Sequence, residues 1–248
     1  MLRTSGLTVT FGGLHAVHDV DLEVADREFV GLIGPNGAGK TTLIDAVTGF
    51  VPLSAGSVHF AGDDVTDLPP AERARRGLVR TFQSLELFED LSVVDNLRVA
   101  ATPAKWWDPL ADAVRPRRGN ERSEQVAWAL EVVGLADAAA AKPGDLSHGQ
   151  RKLVAVARAL AGRPRLVLLD EPAAGLDTEE TLALGEHLRT LPEHGVSVLL
   201  IDHDMGLVLG ICDRVVVLDV GAVIADGTPD HIRGDEQVVE AYLGAAPT

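Results

Sequence analysis

The segment Gly34-Pro35-Asn36-Gly37-Ala38-Gly39-Lys40-Thr41 decides the fold, because it joins two stretches that have different periodicities. Before it, Phe29–Ile33 is a short apolar run that is typical of a strand buried on both faces. After it, the apolar residues from Leu43 to Val47 follow the spacing of a helix, which is predicted to end near Gly49. The sequence therefore predicts a strand, a glycine-rich turn and a helix in direct succession.

This segment matches the pattern G-x-x-x-x-G-K-[ST], in which each residue type has a physical reason. Its glycines let backbone N–H groups turn inward around a phosphate chain, and the loop opens into a helix N-terminus, whose dipole favours an anion. Lys40 would reach the β- and γ-phosphates, and the Thr41 hydroxyl would ligate Mg²⁺. A glycine-rich turn can match by chance, but the flanking strand and helix provide the context that phosphate binding requires. The predicted nucleotide-binding residues of this loop are Gly34, Pro35, Asn36, Gly37, Ala38, Gly39, Lys40, Thr41 and Thr42.

A second motif, Leu166–Glu171, is an apolar run that ends in two carboxylates. A carboxylate at the tip of a buried strand can hold Mg²⁺, and a neighbouring carboxylate can polarise an attacking water. We therefore assign the metal role to Asp170 and the general-base role to Glu171. In isolation the pair would be interpreted as two solvated acids, but a phosphate loop in the same chain favours the catalytic interpretation. Together the two motifs indicate a P-loop nucleoside triphosphatase, without distinguishing a transporter ATPase from a kinase or a GTPase.

The remaining apolar patterns predict an α/β fold. Two alternating segments near the N-terminus predict antiparallel strands at one edge, and three later apolar runs separated by helical patterns predict a parallel sheet. These segments are 7–11 and 20–24 for the edge, and 166–169, 196–201 and 215–218 for the sheet. Helical patterns dominate from 85 to 161. We therefore predict a single domain over 1–248, in which 1–84 and 162–248 form a catalytic β/α core and 85–161 form a helical subdomain.

The composition limits the possible functions. The formal net charge of -15 argues against general nucleic-acid binding, because that function needs clustered positive charge. The single cysteine, Cys212, cannot form an internal disulfide, which fits a reducing cytoplasm, and it is expected to be a packed small hydrophobe. The sequence shows neither a signal peptide nor a run of about 18 apolar residues, so any membrane role is expected to come through partners. The least patterned stretch, 103–122, is interpreted as a surface insertion loop or as a partner or membrane contact.

Four further motifs resemble those of the ABC ATPases. Leu146-Ser147-His148-Gly149-Gln150 resembles the ABC signature, and the sequences around Gln83, Asp177 and His203 resemble the Q-loop, the D-loop and the H-loop. With the phosphate loop and the paired carboxylates, six motifs occur in the family's order and span nearly the whole chain. The resemblance implies an α/β P-loop NTPase fold of the ABC ATPase type, with a mixed sheet core, an antiparallel β edge and a helical subdomain.

The resemblance also implies that two subunits hold ATP between them, head to tail. The signature residues would then serve the nucleotide of the opposite subunit, with the Ser147 hydroxyl and the N–H of Gly149 directed at its γ-phosphate. Considered alone, Ser147 is simply a helix N-cap. His148 departs from the commonest signature, which has a glycine there, and Gln150 completes this predicted trans site. Asp177 would bridge the two subunits.

The same resemblance assigns residues to the subunit's own nucleotide. Gln83 would contact Mg²⁺ and the attacking water, and His203 would hydrogen-bond the γ-phosphate, although a lone histidine after a strand is usually structural. Phe11 would stack on adenine, or would belong to the core, because it alternates with Leu7 and Val9 along one strand face. The implied cofactors are ATP and Mg²⁺, the implied catalytic residues are Glu171, His203 and Gln83, and the implied metal ligands are Thr41, Gln83 and Asp170.

A closer resemblance is to the ATP-binding subunits of branched-chain (hydrophobic) amino acid importers. It rests on Phe11-Gly12-Gly13, Arg80-Thr81-Phe82-Gln83, Leu91-Ser92-Val93-Val94-Asp95-Asn96-Leu97, Glu171-Pro172-Ala173-Ala174-Gly175-Leu176, His203-Asp204-Met205 and Ala241-Tyr242-Leu243-Gly244. It implies a cytoplasmic subunit, peripheral on the inner face of the membrane, that binds two transmembrane permease subunits. The subunit would work with a second ABC ATPase or as a homodimer, and indirectly with a solute-binding protein. An apolar groove for a permease helix, or ordinary core, is predicted at Leu85, Leu87, Phe88 and Leu91.

Three other functions are open on the sequence alone. The ATPases of urea and short-amide importers are closely similar, and no residue of this chain is expected to contact the transported solute. A soluble ABC ATPase of DNA repair or translation is disfavoured by the acidic charge and by the lack of a long coiled-coil pattern or a basic arm. A regulatory module that binds ATP without hydrolysing it is disfavoured by the presence of Glu171 and His203.

Overall fold

The structure is a computed structural model, and it describes residues 1–81, 87–101 and 117–244. Its strands are β1 (Leu2–Phe11), β2 (Leu14–Val24), β3 (Phe29–Ile33), β4 (Ala55–Phe60), β5 (Asp63–Asp64), β6 (Leu78–Arg80), β7 (Leu166–Asp170), β8 (Ser197–Ile201), β9 (Arg214–Asp219) and β10 (Ala222–Gly227). Its α-helices are α1 (Lys40–Thr48), α2 (Pro70–Arg75), α3 (Val93–Ala100), α4 (Arg117–Val132), α5 (His148–Leu160), α6 (Thr178–Arg189), α7 (Met205–Ile211), α8 (Pro229–Arg233) and α9 (Glu236–Gly244).

The larger sheet has the strand order β10-β9-β3-β8-β7-β6. Within it β3 pairs in parallel with β8 and β9, and β7 pairs in parallel with β8 and β6, whereas β10 runs antiparallel to β9 at one edge. The parallel sheet that the apolar runs predicted is therefore confirmed. The apolar patterns do not predict β6 and β10, because β6 has only three residues and β10 is only partly buried, so neither gives a continuous apolar run.

The larger sheet carries a hydrophobic core on each face. In β3, Val30 and Leu32 pack into one core with β1, β2, β4 and α1, whereas Phe29 and Ile33 pack into the other core with helices α3 to α9. This division follows from the two-residue period of a strand, which points successive side chains to opposite faces. The strand that leads into the glycine-rich loop is thus buried on both faces, as its apolar composition predicted.

The smaller sheet has the order β2-β1-β4-β5 and is antiparallel throughout, which confirms the predicted antiparallel strands. Leu7 and Val9 are buried, but Phe11 is 54% exposed, so of the two roles left open for Phe11 the structure does not support a place in the core. The pairing of β1 with β2 contains register shifts between Thr4 and Thr10, and these shifts interrupt the strict alternation of the strand.

The described residues between 87 and 161 contain helices, turns and irregular segments but no strand. Helices α3, α4 and α5 pack against one another and share a core with the larger sheet. The division of the chain into 1–84, 85–161 and 162–248 stays a prediction. Leu85 and most of the predicted insertion at 103–122 lie outside the described residues. In the described part of the chain, no helix combines the length and the apolar character that crossing a membrane requires.

The fold gathers the predicted site at one edge of the larger sheet. Because β3, β7 and β8 are parallel neighbours, their carboxyl ends lie together. The segment after β3 leads into α1, the segment after β7 begins with Glu171, and the segment after β8 contains His203. Open α/β sheets bind ligands in the crevice outside the carboxyl ends of their strands, so this edge is where a site is expected.

Candidate nucleotide site

The loop between β3 and α1 is wedged against two neighbouring strands. Gly34 has a φ of +150°, and a Cβ built on it would lie 2.0 Å from the carbonyl oxygen of Leu218. Gly39 has a φ of +100°, and its Cβ would lie 2.4 Å from the carbonyl oxygen of Ala16. Both positions therefore require glycine, because of the close backbone approach as well as the positive φ. These close approaches hold the loop between β9 and β2.

The loop presents positive charge to a cleft of about 370 Å³. The N-cap of α1 is Gly39, which offers no side-chain cap, so the first N–H groups of the helix can donate hydrogen bonds to an anion. The Lys40 Nζ donates hydrogen bonds to the carbonyls of Gly34 (2.7 Å) and Pro35 (3.0 Å). Burial lowers the pKa of Lys40, and the carboxylate of Glu171 opposes that effect. The residues that line the cleft are Leu14, His15, Ala16, Asn36, Gly37, Ala38, Gly39, Lys40, Thr41, Thr42, Glu171, Ile201, Val220 and Gly221.

Glu171 reaches this cleft from a strained backbone position. Its φ of +47° lies in the left-handed region, which costs a residue with a side chain about 1–3 kcal/mol and persists only where the surroundings impose it. Its N–H donates to the carbonyl of Ile201 at 2.7 Å, so the neighbouring strand holds the turn in place. The structure therefore brings the predicted base and the phosphate-loop lysine to one cleft.

Asp170, the predicted metal ligand, is bound to a residue that the sequence analysis left without a role. The Arg80 guanidinium donates to Asp170 Oδ2 at 2.7 Å and to Asp45 Oδ1 at 2.5 Å. Burial lowers the pKa of Arg80, but its hydrogen bonds to the two carboxylates more than offset this and leave that pKa raised. Nothing in the sequence marked this pair, because residues 80 and 170 meet only when β6 pairs with β7.

Thr41 at the start of α1 and Asp170 at the end of β7 carry oxygen donors of the kind that Mg²⁺ prefers. Magnesium is usually held by one or two carboxylates together with substrate phosphates, and a Thr41 hydroxyl with an Asp170 carboxylate is a donor set of this kind. Within the described residues, no group of three or more His, Cys, Asp or Glu side chains forms an all-protein metal site. Gln83, the third predicted ligand, lies outside the described residues.

The signature segment lies at the start of α5, outside the lining of this cleft. Ser147 is the N-cap of α5 and forms a capping box with Gln150, so the simple capping interpretation describes its contacts in this chain. The N–H of Gly149 donates to Glu180 Oε1 at 3.2 Å. His148 is exposed, and its Nε2 would lie 3.4 Å from a Cβ built on Gly175. The signature turn therefore packs against the D-loop region of its own chain.

The other predicted residues also lie outside the cleft lining. Phe11 ends β1 opposite Leu14 and is exposed. Asp177 is the N-cap of α6 and accepts a hydrogen bond from the N–H of Glu180 at 2.9 Å. The His203 side chain is 68% exposed, and its Nδ1 lies 3.6 Å from Asp202 Oδ1.

Two buried charged residues near Glu171 escaped the sequence analysis. Asp202 is 1% exposed and accepts hydrogen bonds from the N–H groups of Ala173 (3.1 Å) and Asp204 (3.0 Å), which joins the segments after β7 and β8. Lys152, on α5, is 7% exposed, and its pKa is lowered by burial against the opposing effect of Asp202 and Glu171. An acid and a lysine at these positions gave no sequence signal, because only the fold brings α5 to these segments.

Two known sequence families match the chain. The model of the family described as "ABC transporter" matches residues 17–174, which span the phosphate loop, the signature and the paired carboxylates. The chain belongs to the ABC transporter family. A second family, described as "Branched-chain amino acid ATP-binding cassette transporter", matches residues 222–247 at the C-terminal end of this ABC ATPase.

Individual relatives cover nearly the whole ABC ATPase. It is 44% identical to the high-affinity branched-chain amino acid transport ATP-binding protein BraF of Pseudomonas aeruginosa, over 99% of this chain and 98% of that protein. It is 39% identical to the lipopolysaccharide export system ATP-binding protein LptB of Escherichia coli, over 98% and 97% of the two chains. Among solved structures, the ADP conformation of MJ1267, an ATP-binding cassette of an ABC transporter, matches with a TM-score of 0.86 at 33% identity, over 98% of each chain. These matches confirm the predicted family and fold class.

Proposed function

We propose that this ABC ATPase drives an importer of branched-chain or hydrophobic amino acids from the cytoplasmic face of the membrane. The observation that carries the catalytic part is the single cleft lined by Lys40, Thr41 and Glu171. The amino acid importer assignment is supported by the second family match at 222–247 and by the similarity to BraF.

The cleft supports ATP hydrolysis in the following way. The loop N–H groups and the Lys40 ammonium bind the β- and γ-phosphates and neutralise part of their charge. Mg²⁺, held by Thr41 and Asp170, supplies further neutralisation of the phosphates when it is bound. Glu171 accepts a proton from the attacking water, and its turn, bonded to Ile201, holds the carboxylate toward the cleft. We assign Gln83 to the metal and the attacking water, and His203 to a hydrogen bond with the γ-phosphate.

A second subunit completes the site in this proposal. Ser147, His148, Gly149 and Gln150 lie away from their own chain's cleft, which fits a role toward a nucleotide held by another copy or by a related ATPase. Asp177 would lie at the junction of the two subunits. Phe11 is free of the core and available to stack on adenine, since more than half of its surface is exposed.

Replacement of Glu171 by glutamine tests the catalytic assignment. The amide keeps the shape of the side chain but cannot accept the proton, so turnover should fall by about 10²–10⁴-fold while ATP binding is retained. The measurements are phosphate release and binding of a fluorescent ATP analogue. Glu179→Gln is the matched control, because this exposed acid on the first turn of α6 loses the same charge without facing the cleft. Wild-type turnover in Glu171→Gln would remove Glu171 from the base role.

The transport assignment needs a different experiment, because LptB, named for lipopolysaccharide export, is also 39% identical to this chain. We propose purification of the tagged chain from its native membranes in mild detergent, followed by mass spectrometry. Two multi-span permeases, a second ATPase or none, and a solute-binding protein are expected, and ligand screening of that binding protein would separate amino acids from urea or short amides. Recovery of repair or ribosomal proteins without a permease would overturn the transport role and favour a soluble ABC ATPase.

A further inference from the structure

Arg80 lies between two carboxylates, those of Asp45 and Asp170. Its side chain is 8% exposed, and the side chains of its partners Asp45 and Asp170 are 29% and 15% exposed. One terminal nitrogen binds Asp45 Oδ1 and the other binds Asp170 Oδ2. A planar guanidinium holds both carboxylates in fixed directions, which a lysine ammonium would not do.

The two carboxylates belong to the two elements that carry the predicted metal ligands. Asp45 lies on α1 four residues after Thr41, so the two side chains share a face of that helix. Asp170 ends β7 and is itself the second predicted ligand. Arg80 therefore ties the helix that carries Thr41 to the strand end that carries Asp170.

The contact also determines which oxygen of Asp170 is available. Because Arg80 binds Oδ2, the proposed metal would be bound through Oδ1. Thr81, next to Arg80, supports the same strand end, since its N–H donates to the carbonyl of Leu168 at 2.9 Å. The end of β6 thus restrains both the backbone and the carboxylate at the end of β7.

We propose that Arg80 is a positioning residue for Mg²⁺, holding Asp170 and the Thr41-bearing helix at the separation that the metal needs. The inference rests on the proposed nucleotide site. Arg80 lies outside the phosphate loop, at the end of β6 and three residues before Gln83 in the sequence.

The test measures how much a divalent metal improves nucleotide binding. A fluorescent ATP analogue is titrated into the purified chain with Mg²⁺ and again with EDTA, and the ratio of the two dissociation constants is the metal-dependent gain. Arg80→Gln should reduce this gain by about tenfold, as is usual for loss of a group that orients a metal ligand. Binding in EDTA should stay near the wild-type value, because Lys40 and the loop N–H groups are untouched.

Three further variants make the result specific. Arg75→Gln removes an exposed arginine of α2 and should leave the gain unchanged. Arg80→Lys keeps the charge without the planar fork and should still lose most of the gain. Asp45→Ala, which removes only the link to α1, should give a partial loss and serves as the test if Arg80→Gln does not fold.

An unchanged or larger gain in Arg80→Gln would overturn the inference, even if its melting temperature fell, because Arg80 would then be only a structural ion pair. Full retention of the gain in Arg80→Lys would also overturn it, because charge alone would suffice. A wild-type chain that binds the analogue equally in Mg²⁺ and EDTA would overturn it together with the metal assignment. A wild-type chain that does not bind the analogue at all would instead refute the proposed nucleotide site.

Discussion

At the scale of single residues, backbone crowding requires a glycine at position 34, independently of phosphate binding. The carbonyl of Leu218 occupies the space that any side chain would need. By comparison, Gly62 also has a positive φ, +91° against +150° at Gly34, but no atom lies within 4 Å of its missing Cβ. The two positions therefore contrast a positive φ alone with a positive φ combined with a close backbone approach.

Gly34→Ala should therefore cost more stability than Gly62→Ala. The second variant pays only the left-handed penalty of about 1–2 kcal/mol, whereas the first adds overpacking of about 1–3 kcal/mol or more and should weaken ATP binding by displacing the loop. Chemical denaturation of both variants gives the two free energies of unfolding, and nucleotide titration gives the binding loss. Equal destabilisation of the two variants would show that the loop can move away from β9.

At the scale of elements, the C-terminal end of α1 is held by one buried arginine. Arg73, on α2, is 3% exposed and donates to the carbonyls of Ala46 (2.8 Å) and Val47 (2.6 Å) in the last turn of α1. It also donates to the carbonyls of Leu68 (2.9 Å) and Thr66 (2.7 Å). A cation at this end complements the helix dipole, so Arg73 stabilises the same helix whose N-terminus faces the phosphate site.

Arg73→Met should lower the free energy of unfolding by about 3 kcal/mol, because several buried carbonyls lose a charged donor at once. Arg75→Met is the control, since this exposed residue forms a surface ion pair with Glu72 and should change stability by less than about 1 kcal/mol. Urea titrations monitored by circular dichroism compare the two. A small loss in Arg73→Met would mean that water replaces the guanidinium at these carbonyls.

At the scale of the whole molecule, the sequence predicted the parts whose physics is local. Short patterns predicted four features that the structure confirms. These are the loop between Phe29–Ile33 and α1, the buried strand before Asp170, the N-cap at Ser147 and the buried Cys212. Contacts between distant segments were not predictable from these patterns. Arg80 with Asp170, and Gly149 with Glu180, are brought together by strand order and helix packing, which no local periodicity encodes.

The contact between Gly149 and Glu180 bears on how two subunits would join. In the proposed head-to-tail pair, the N–H that donates to Glu180 is the one that should face the partner's γ-phosphate. Two anions cannot share one donor without repulsion, so Glu180→Gln should tighten ATP-driven pairing by roughly tenfold, the value of one hydrogen bond to a charged group. The measurement is sedimentation of the pair in the Glu171→Gln background, with Glu179→Gln as the control. Weaker pairing in Glu180→Gln would show that the carboxylate supports the signature turn instead of competing for it.

Because the Gly149 N–H already donates to the Glu180 carboxylate, an arriving phosphate must displace that carboxylate. In that exchange the displaced Glu180 carboxylate stays tethered to its own chain, beside the position that it has left. It would return as soon as the phosphate departed, because a tethered competitor acts at a high effective concentration. Return of the Glu180 carboxylate to the Gly149 N–H would then favour dissociation of the two subunits after the phosphate has left.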